Sequence, residues 1–308
     1  MTGKHVLQDA LGDLQIGKIL FGEKMSGHAS LKVGGRVDAL VYIENENQLV
    51  EVVKRLGEKK IEYVPAGNLT NMIVRDGGYR GAIVLMTGIQ EVVYEPASQT
   101  DHFLTAQAGA TLNKVVSRSV AEELTGLEFC AGIPGSVGGA IWMNAGAYGK
   151  EMKDVVQEVY VLDASGAGRT LNRSEIAFGY RHTEFPEGTI VLGARFKLRK
   201  GERLKIKERI NEIMQWRQEK HPLDYPSCGS IFKNLPGHPA GKIIEDMGLK
   251  GVSRGGAQIS SKHANFIINK GNATASDVLF LIHLVQTRAQ QEKNLRLETE
   301  VVIIGENE

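Results

Sequence analysis

Cysteine is nearly missing from this chain: Cys130 and Cys228 are too few for a disulfide framework or a cysteine-based metal centre. No histidine pair has metal-ligand spacing and no H-E-x-x-H occurs, so no catalytic metal is expected. No apolar run approaches bilayer length and no apolar signal region opens the chain, which predicts a cytoplasmic protein with no membrane partner. Charge of one sign is lacking as well. Lys and Arg total 37 against 36 Asp and Glu, a net charge of +1 that argues against a general nucleic-acid binder. No G-x-G-x-x-G joins a strand to a helix, so a simple Rossmann domain is not expected. Without a G-x-S-x-G elbow, a hydrolase nucleophile has no support. Repeats and low-complexity tracts are missing too. What is present is an ordinary folded composition, 42% hydrophobic and 24% charged over 308 residues, enough for two or three domains.

The stretch that stands out is 131–149, AGIPGSVGGAIWMNAGAYG, with six glycines in nineteen residues and no charge. Glycine admits φ > 0 and close approach of backbone to a ligand. The segment therefore reads as a loop rather than a helix or strand interior. Lacking lysine and arginine, it would hold an anion through backbone N–H groups, and a diphosphate is a plausible guest. A plain linker would not carry Ile133, Val137, Ile141, Trp142 and Met143.

Residues 1–20 read as a helix that Gly12 and Gly17 weaken, 37–43 as a strand after a Gly-Gly turn, and 46–57 as a helix. A strand at 61–65 ends in Ala66-Gly67-Asn68-Leu69-Thr70-Asn71, a turn rich in phosphate-compatible groups. Runs at 81–87, 91–95 and 102–108 read as strands of a second lobe, and 111–124 as a helix entering the glycine-rich segment. Strands are expected at 155–163 and 189–199, a charged helix at 203–220, a strand at 264–268, a helix at 274–292 and a last strand at 295–304. The pattern is α+β.

Three further segments carry possible chemistry. In Phe178-Gly179-Tyr180-Arg181, the arginine can clamp a carboxylate with paired hydrogen bonds, although a lone arginine is more often a structural ion-pair partner. In Ser227-Cys228-Gly229-Ser230-Ile231-Phe232-Lys233-Asn234, a serine after glycine can present its hydroxyl, whereas Cys228 reads as inert packing. In Leu295-Arg296-Leu297-Glu298-Thr299-Glu300, the start of the last expected strand, the two acids share one strand face because side chains alternate with period two. A half-buried glutamate there can serve as an acid. His263 invites a general-base role, but a structural one is the better expectation.

In order and spacing, the glycine-rich segment, GYR at 179–181 and SCGSIFKN at 227–234 closely resemble the UDP-N-acetylenolpyruvoylglucosamine reductases, the MurB family, over roughly 20–305. The resemblance implies a two-lobed FAD-binding domain of the vanillyl-alcohol-oxidase (PCMH) type over 1–200, with an N-terminal helix and lobes at about 21–87 and 88–200. A smaller α+β substrate-binding domain would follow at 201–308. It assigns FAD to Gly67, Asn68, Thr70 and Asn71, and to Gly132, Ile133, Pro134, Gly135, Ser136, Gly138, Gly139, Asn144, Ala145 and Gly146. It makes Arg181, Ser230 and Glu300 catalytic, and gives Tyr180, Arg217, Lys220 and Asn234 to the substrate.

The implied reaction uses NADPH to reduce FAD, which reduces UDP-N-acetylglucosamine enolpyruvate to UDP-N-acetylmuramate for peptidoglycan. No obligate protein partner is implied. The missing insertion after the arginine motif resembles the shorter, type II enzymes. Leu69 replaces the second glycine of the family's G-x-G-S-N turn, and Thr299 replaces a proline. Two other readings stay open: a different flavin oxidoreductase on the same domain, and a paralogue that binds UDP-sugar without turnover.

Overall fold

A computed structural model describes residues 3–96 and 101–308. Local signals explain where three of the helices begin. Asn45 caps Glu46–Glu58 by accepting from the Gln48 N–H, and Leu49, Val52 and Leu56 bury one stripe of that helix. Thr111 caps Leu112–Ala121 through the Lys114 N–H in the same way. Thr274 and Asp277 form a capping box on Ala275–Lys293. The carboxylate of Asp76 also accepts from the Ala275 and Ser276 N–H groups at 2.9 and 2.7 Å, adding negative charge at the helix start.

The described chain divides into two compact units. One draws on Met1–Leu20, Ala39–Asn68 and Gly81–Trp216, the other on Phe21–Asp38, Leu69–Arg80 and Arg217–Glu308. They interleave along the sequence, whereas the expectation drew a single boundary near residue 200. The reason is strand pairing over long sequence distances.

In the first unit, Tyr63–Ala66 pairs in parallel with Tyr79–Leu85, Tyr63 opposite Ala82. A larger antiparallel sheet follows the order Gly168–Asn172, Val156–Leu162, Ile190–Lys200, His102–Gln107, Val92–Pro96, with Leu124–Thr125 on the far end of Ile190–Lys200. Its core gathers Leu104, Val115, Phe129, Val137, Ile141, Val159 and Phe196. In the second unit, the strand order is Ser227–Ser230, Phe266–Asn269, Ala257–Ile259, Ser253–Arg254, covered by Ala275–Lys293. Val302–Ile304 pairs in parallel with Met72–Val74 and draws that early segment into the C-terminal core, where Ile73 packs with Phe232, Ile244, Leu281 and Leu297.

Three expectations are corrected. Of the helix expected over 1–20, residues 1 and 2 lie outside the described residues, and only Gly3–Leu11 is helical. The chain leaves the helix at Gly12 and is extended again at Lys18–Lys24. The glycine-rich segment is not wholly loop, because Val137–Trp142 is helical. Val137, Ala140 and Ile141 stand at helical spacing and are buried, and this tertiary burial outweighs the poor helix propensity of Gly138 and Gly139. Regular pairing over 295–304 is confined to Val302–Ile304, apart from a bridge between Thr299 and Phe232. Glu298 and Glu300 therefore do not share a face of a regular strand. Leu297 and Val301 are buried in this irregular stretch, while Glu298 is exposed and lies 3.7 Å from the Lys233 ammonium.

Candidate active site

In the first unit the glycine-rich segment and the GYR hairpin are built against each other. Ala177–Gly179 and His182–Glu184 pair with Gly179 opposite His182, leaving Tyr180 and Arg181 as the turn. Arg181 takes φ +53°, as tight two-residue hairpin turns often require. Its Nη2 donates to the Gly146 carbonyl at 2.8 Å, and its Nη1 lies 3.8 Å from the Glu151 carboxylate. Gly146 and Glu151 are directly opposed in the hairpin that follows the helix, so two facing residues bracket the guanidinium. The Tyr180 ring lies against the same group, 5.0 Å from centroid to Cζ.

Asn144 is fully buried and ties the two motifs together. Its Nδ2 donates to the Gly179 carbonyl at 2.8 Å and to Glu151 at 3.0 Å, and its Oδ1 accepts from the Lys153 N–H. The Thr183 hydroxyl adds a buried bond to the Ile141 carbonyl at 2.6 Å. Glu151 had no signal in the sequence beyond its charge. Its importance follows from the tertiary position of Arg181, Asn144 and Lys153, whose ammonium lies 2.6 Å from it.

The residues expected to hold FAD divide by burial. Gly132, Pro134 and Gly139 are exposed, Gly67, Asn68, Ile133, Gly135, Ala145 and Gly146 are half-buried, and Ser136, Gly138 and Asn144 are buried. Gly67 comes up to Ser136 so closely that an added Cβ would stand 2.1 Å from its hydroxyl oxygen. Ser136 begins the helix Val137–Trp142 without using that hydroxyl as a cap. Near Gly139 the closest atom to a Cβ would be the same oxygen, at 3.8 Å. Two glycine-bearing turns thus meet at one hydroxyl, with room at Gly139 for a guest, and this fits a dinucleotide cofactor. The amides of Val137 and Gly138 do not face a guest, because they donate to the carbonyls of Ala110 and Ala108.

Leu69, the departure from the family pattern, holds φ +54° with its side chain 6% exposed, so the backbone keeps the left-handed turn that glycine would adopt.

In the second unit, Ser230 ends the strand Ser227–Ser230 after Gly229, whose φ is +78°. The Glu300 N–H donates to the carbonyl of Ile231, the residue after Ser230, at 2.7 Å. The carbonyl of Glu300 accepts from Asn71 Nδ2 at 3.1 Å, beside half-buried Thr70. Ser230 and Glu300 are thereby brought to adjacent backbone positions although seventy residues separate them in sequence. The carboxamide oxygen of Asn234 accepts from the Ala240 N–H, which anchors the start of Ala240–Asp246.

Arg217 is buried and Lys220 exposed at the end of Arg203–Lys220. Beside them His221 packs on His263 and Phe266 at 5.6 and 5.0 Å between ring centroids. Burial, reinforced by the charges of Arg217, Lys262 and Lys220 and by His263, lowers the His221 imidazole to about 4. Burial also lowers His263, whose Nδ1 accepts from the Asn265 N–H at 3.2 Å. Cys228 is fully buried and its thiol is pushed up to about 12. Among the described residues, no cluster of three or more His, Cys, Asp or Glu could hold a metal ion, and no helix is long and apolar enough to cross a membrane.

Residues 37–172 match the family "FAD binding domain", and residues 221–304 match "UDP-N-acetylenolpyruvoylglucosamine reductase, C-terminal domain". A UDP-N-acetylenolpyruvoylglucosamine reductase of Syntrophus aciditrophicus is 44% identical over 98% of this chain and 96% of its own length. One from Caldanaerobacter subterraneus subsp. tengcongensis is also 44% identical, over 98% and 99%. The crystal structure of the Thermus caldophilus reductase is 33% identical and superposes with a TM-score of 0.78, covering 93% of this chain and 98% of that one.

Proposed function

The chain belongs to the UDP-N-acetylenolpyruvoylglucosamine reductase family, and from that premise we propose that it uses NADPH and FAD to reduce UDP-N-acetylglucosamine enolpyruvate to UDP-N-acetylmuramate. On this reading FAD binding falls within residues 1–200 and substrate binding draws on 201–308, and the protein works in the cytoplasm. The turns around Gly67 and Gly132–Gly146 hold the cofactor, with Ser136 at their meeting point. Bound FAD supplies the hydride, taken from NADPH, that reduces the enolpyruvyl group at C3.

The chain's own groups manage the charge and the proton. As C3 is reduced, negative charge builds on C2 and the neighbouring carboxylate. The Arg181 guanidinium, held against Gly146 and Glu151, donates to that charge, and Glu300 assists as an acid or through a water. Directed stabilisation of this kind contributes about 3–4 kcal/mol per donor. The Ser230 hydroxyl delivers its proton to C2, and the Lys220 ammonium favours the resulting alkoxide. A positioned acid contributes roughly 10²–10⁴-fold. Tyr180, Arg217 and Asn234 complete the substrate contacts.

The observation that supports this assignment best is the 2.7 Å bond from the Glu300 N–H to Ile231. It sets a carboxyl-bearing residue beside the serine that the same chemistry requires. The test is a visible spectrum of the purified protein under anaerobic conditions. An oxidised-flavin band should bleach with NADPH and return on adding UDP-N-acetylglucosamine enolpyruvate. Bleaching without return would reject the substrate, and no flavin band after incubation with FAD would reject the flavoenzyme.

A further inference from the structure

Asn71 lies in the turn that the family resemblance gives to the flavin, yet its side chain reaches elsewhere. Its Nδ2 donates to the Glu300 carbonyl at 3.1 Å, and its own carbonyl accepts from the Val302 N–H at 3.0 Å. The Glu300 N–H is held by Ile231 at 2.7 Å. Both polar groups of the Glu300 backbone are therefore fixed from outside the segment that carries it. That matters because regular pairing begins only at Val302, and before it the single Thr299–Phe232 bridge holds residue 300 through its N–H but leaves its carbonyl to Asn71. With the carbonyl released, the flanking peptide can rotate and swing the carboxyl away from its working position.

We propose that Asn71 is a positioning residue for Glu300, acting on the half of the reaction that reduces the substrate rather than on cofactor affinity. The inference rests on the role given above to Glu300. A direct flavin contact through the Asn71 side chain would make FAD affinity its main effect. Its observed bond makes the direction of the Glu300 carboxyl its main effect.

The test compares Asn71→Ala and the isosteric Asn71→Asp, which keeps the shape but loses the N–H donor. Three readouts are taken on each: FAD affinity from flavin fluorescence, the rate of bleaching by NADPH, and the rate of reoxidation by UDP-N-acetylglucosamine enolpyruvate. FAD affinity and bleaching should stay within about twofold, while reoxidation falls roughly 10–100-fold at little-changed KM, as for a catalytic group displaced by about an ångström. In a Glu300→Ala background, Asn71→Ala should add little further loss, because both changes remove one function. If Asn71→Ala does not fold, Asn71→Asp decides alone. A tenfold or larger loss of FAD affinity with normal reoxidation at saturating FAD would overturn the proposal in favour of a flavin contact. Unchanged reoxidation in the Asn71 variants, with Glu300→Ala crippled, would overturn it and leave the role of Glu300 standing. Normal reoxidation in Glu300→Ala would remove that role, and this inference with it.

Discussion

Leu69 supplies the sharpest check on the backbone reasoning. At φ +54° an L-residue other than glycine carries about 1–2 kcal/mol of strain from its Cβ. The leucine side chain is 6% exposed, and truncating a buried leucine to alanine costs about 2–5 kcal/mol. Leu69→Ala loses the burial and keeps the strain. Leu69→Gly loses the burial, relieves the strain of about 1–2 kcal/mol, and takes on about 0.5–1 kcal/mol of extra backbone entropy. The glycine variant should therefore be the more stable of the two by roughly 0.5–1 kcal/mol, although both fall below the parent. In regular structure the order is the reverse. Thermal unfolding of FAD-free protein reads this without a contribution from cofactor binding. At about 2–4 °C per kcal/mol, the alanine variant should lose at least about 4 °C, and glycine should recover roughly 2 °C of that. An alanine variant as stable as the glycine one, or more stable, would refute the strained left-handed turn. A Leu69→Gly protein more stable than the parent would refute the burial.

Arg181→Lys should lower turnover by roughly two orders of magnitude, because one ammonium cannot keep the Gly146 bond and clamp a carboxylate together; near-normal kcat would make Arg181 structural. Ser230→Ala should bleach with NADPH at the parental rate and reoxidise roughly 10²–10⁴-fold more slowly, and equal reoxidation would remove its role as proton donor. His221 titrates at about 4 in the folded protein, below its ordinary value, so the unfolded chain binds more protons between about pH 6.5 and 4. The stability it contributes is complete above pH 6.5 and lost as pH falls through that window. His221→Asn should flatten the pH dependence of the denaturant midpoint there, and an unchanged slope would show that another group carries it. Cys130 and Cys228 are both buried, and burial holds the Cys228 thiol at about 12. Iodoacetamide should leave the native protein unlabelled and modify both cysteines after denaturation, as read by mass.

The helices were legible where apolar residues recur at helical spacing, as at Leu49, Val52 and Leu56, and the structure adds the caps at Asn45 and Thr274. Such signals act within one or two turns, so they survive in the one-dimensional sequence. The extended stretch at 295–304 was harder. Apolar alternation suggested a full strand, but the backbone finds a parallel partner only at Met72–Val74, and residues before Val302 are held by isolated bonds. The helix inside the glycine-rich segment was hidden for a related reason. Glycine content argues against helix locally, and only the burial of Val137, Ala140 and Ile141 reverses it.

By itself the sequence determined the α+β class, most helices, and the motifs that carry the family resemblance, because these depend on neighbours within a few residues. Only the tertiary structure decided what those motifs touch. It set Arg181 between Gly146 and Glu151, tied the GYR hairpin to the glycine-rich segment through Asn144, and sent the Asn71 amide to Glu300 across 229 residues of chain. A hydrogen bond at such a separation leaves no local pattern, because its geometry exists only once both backbones are packed.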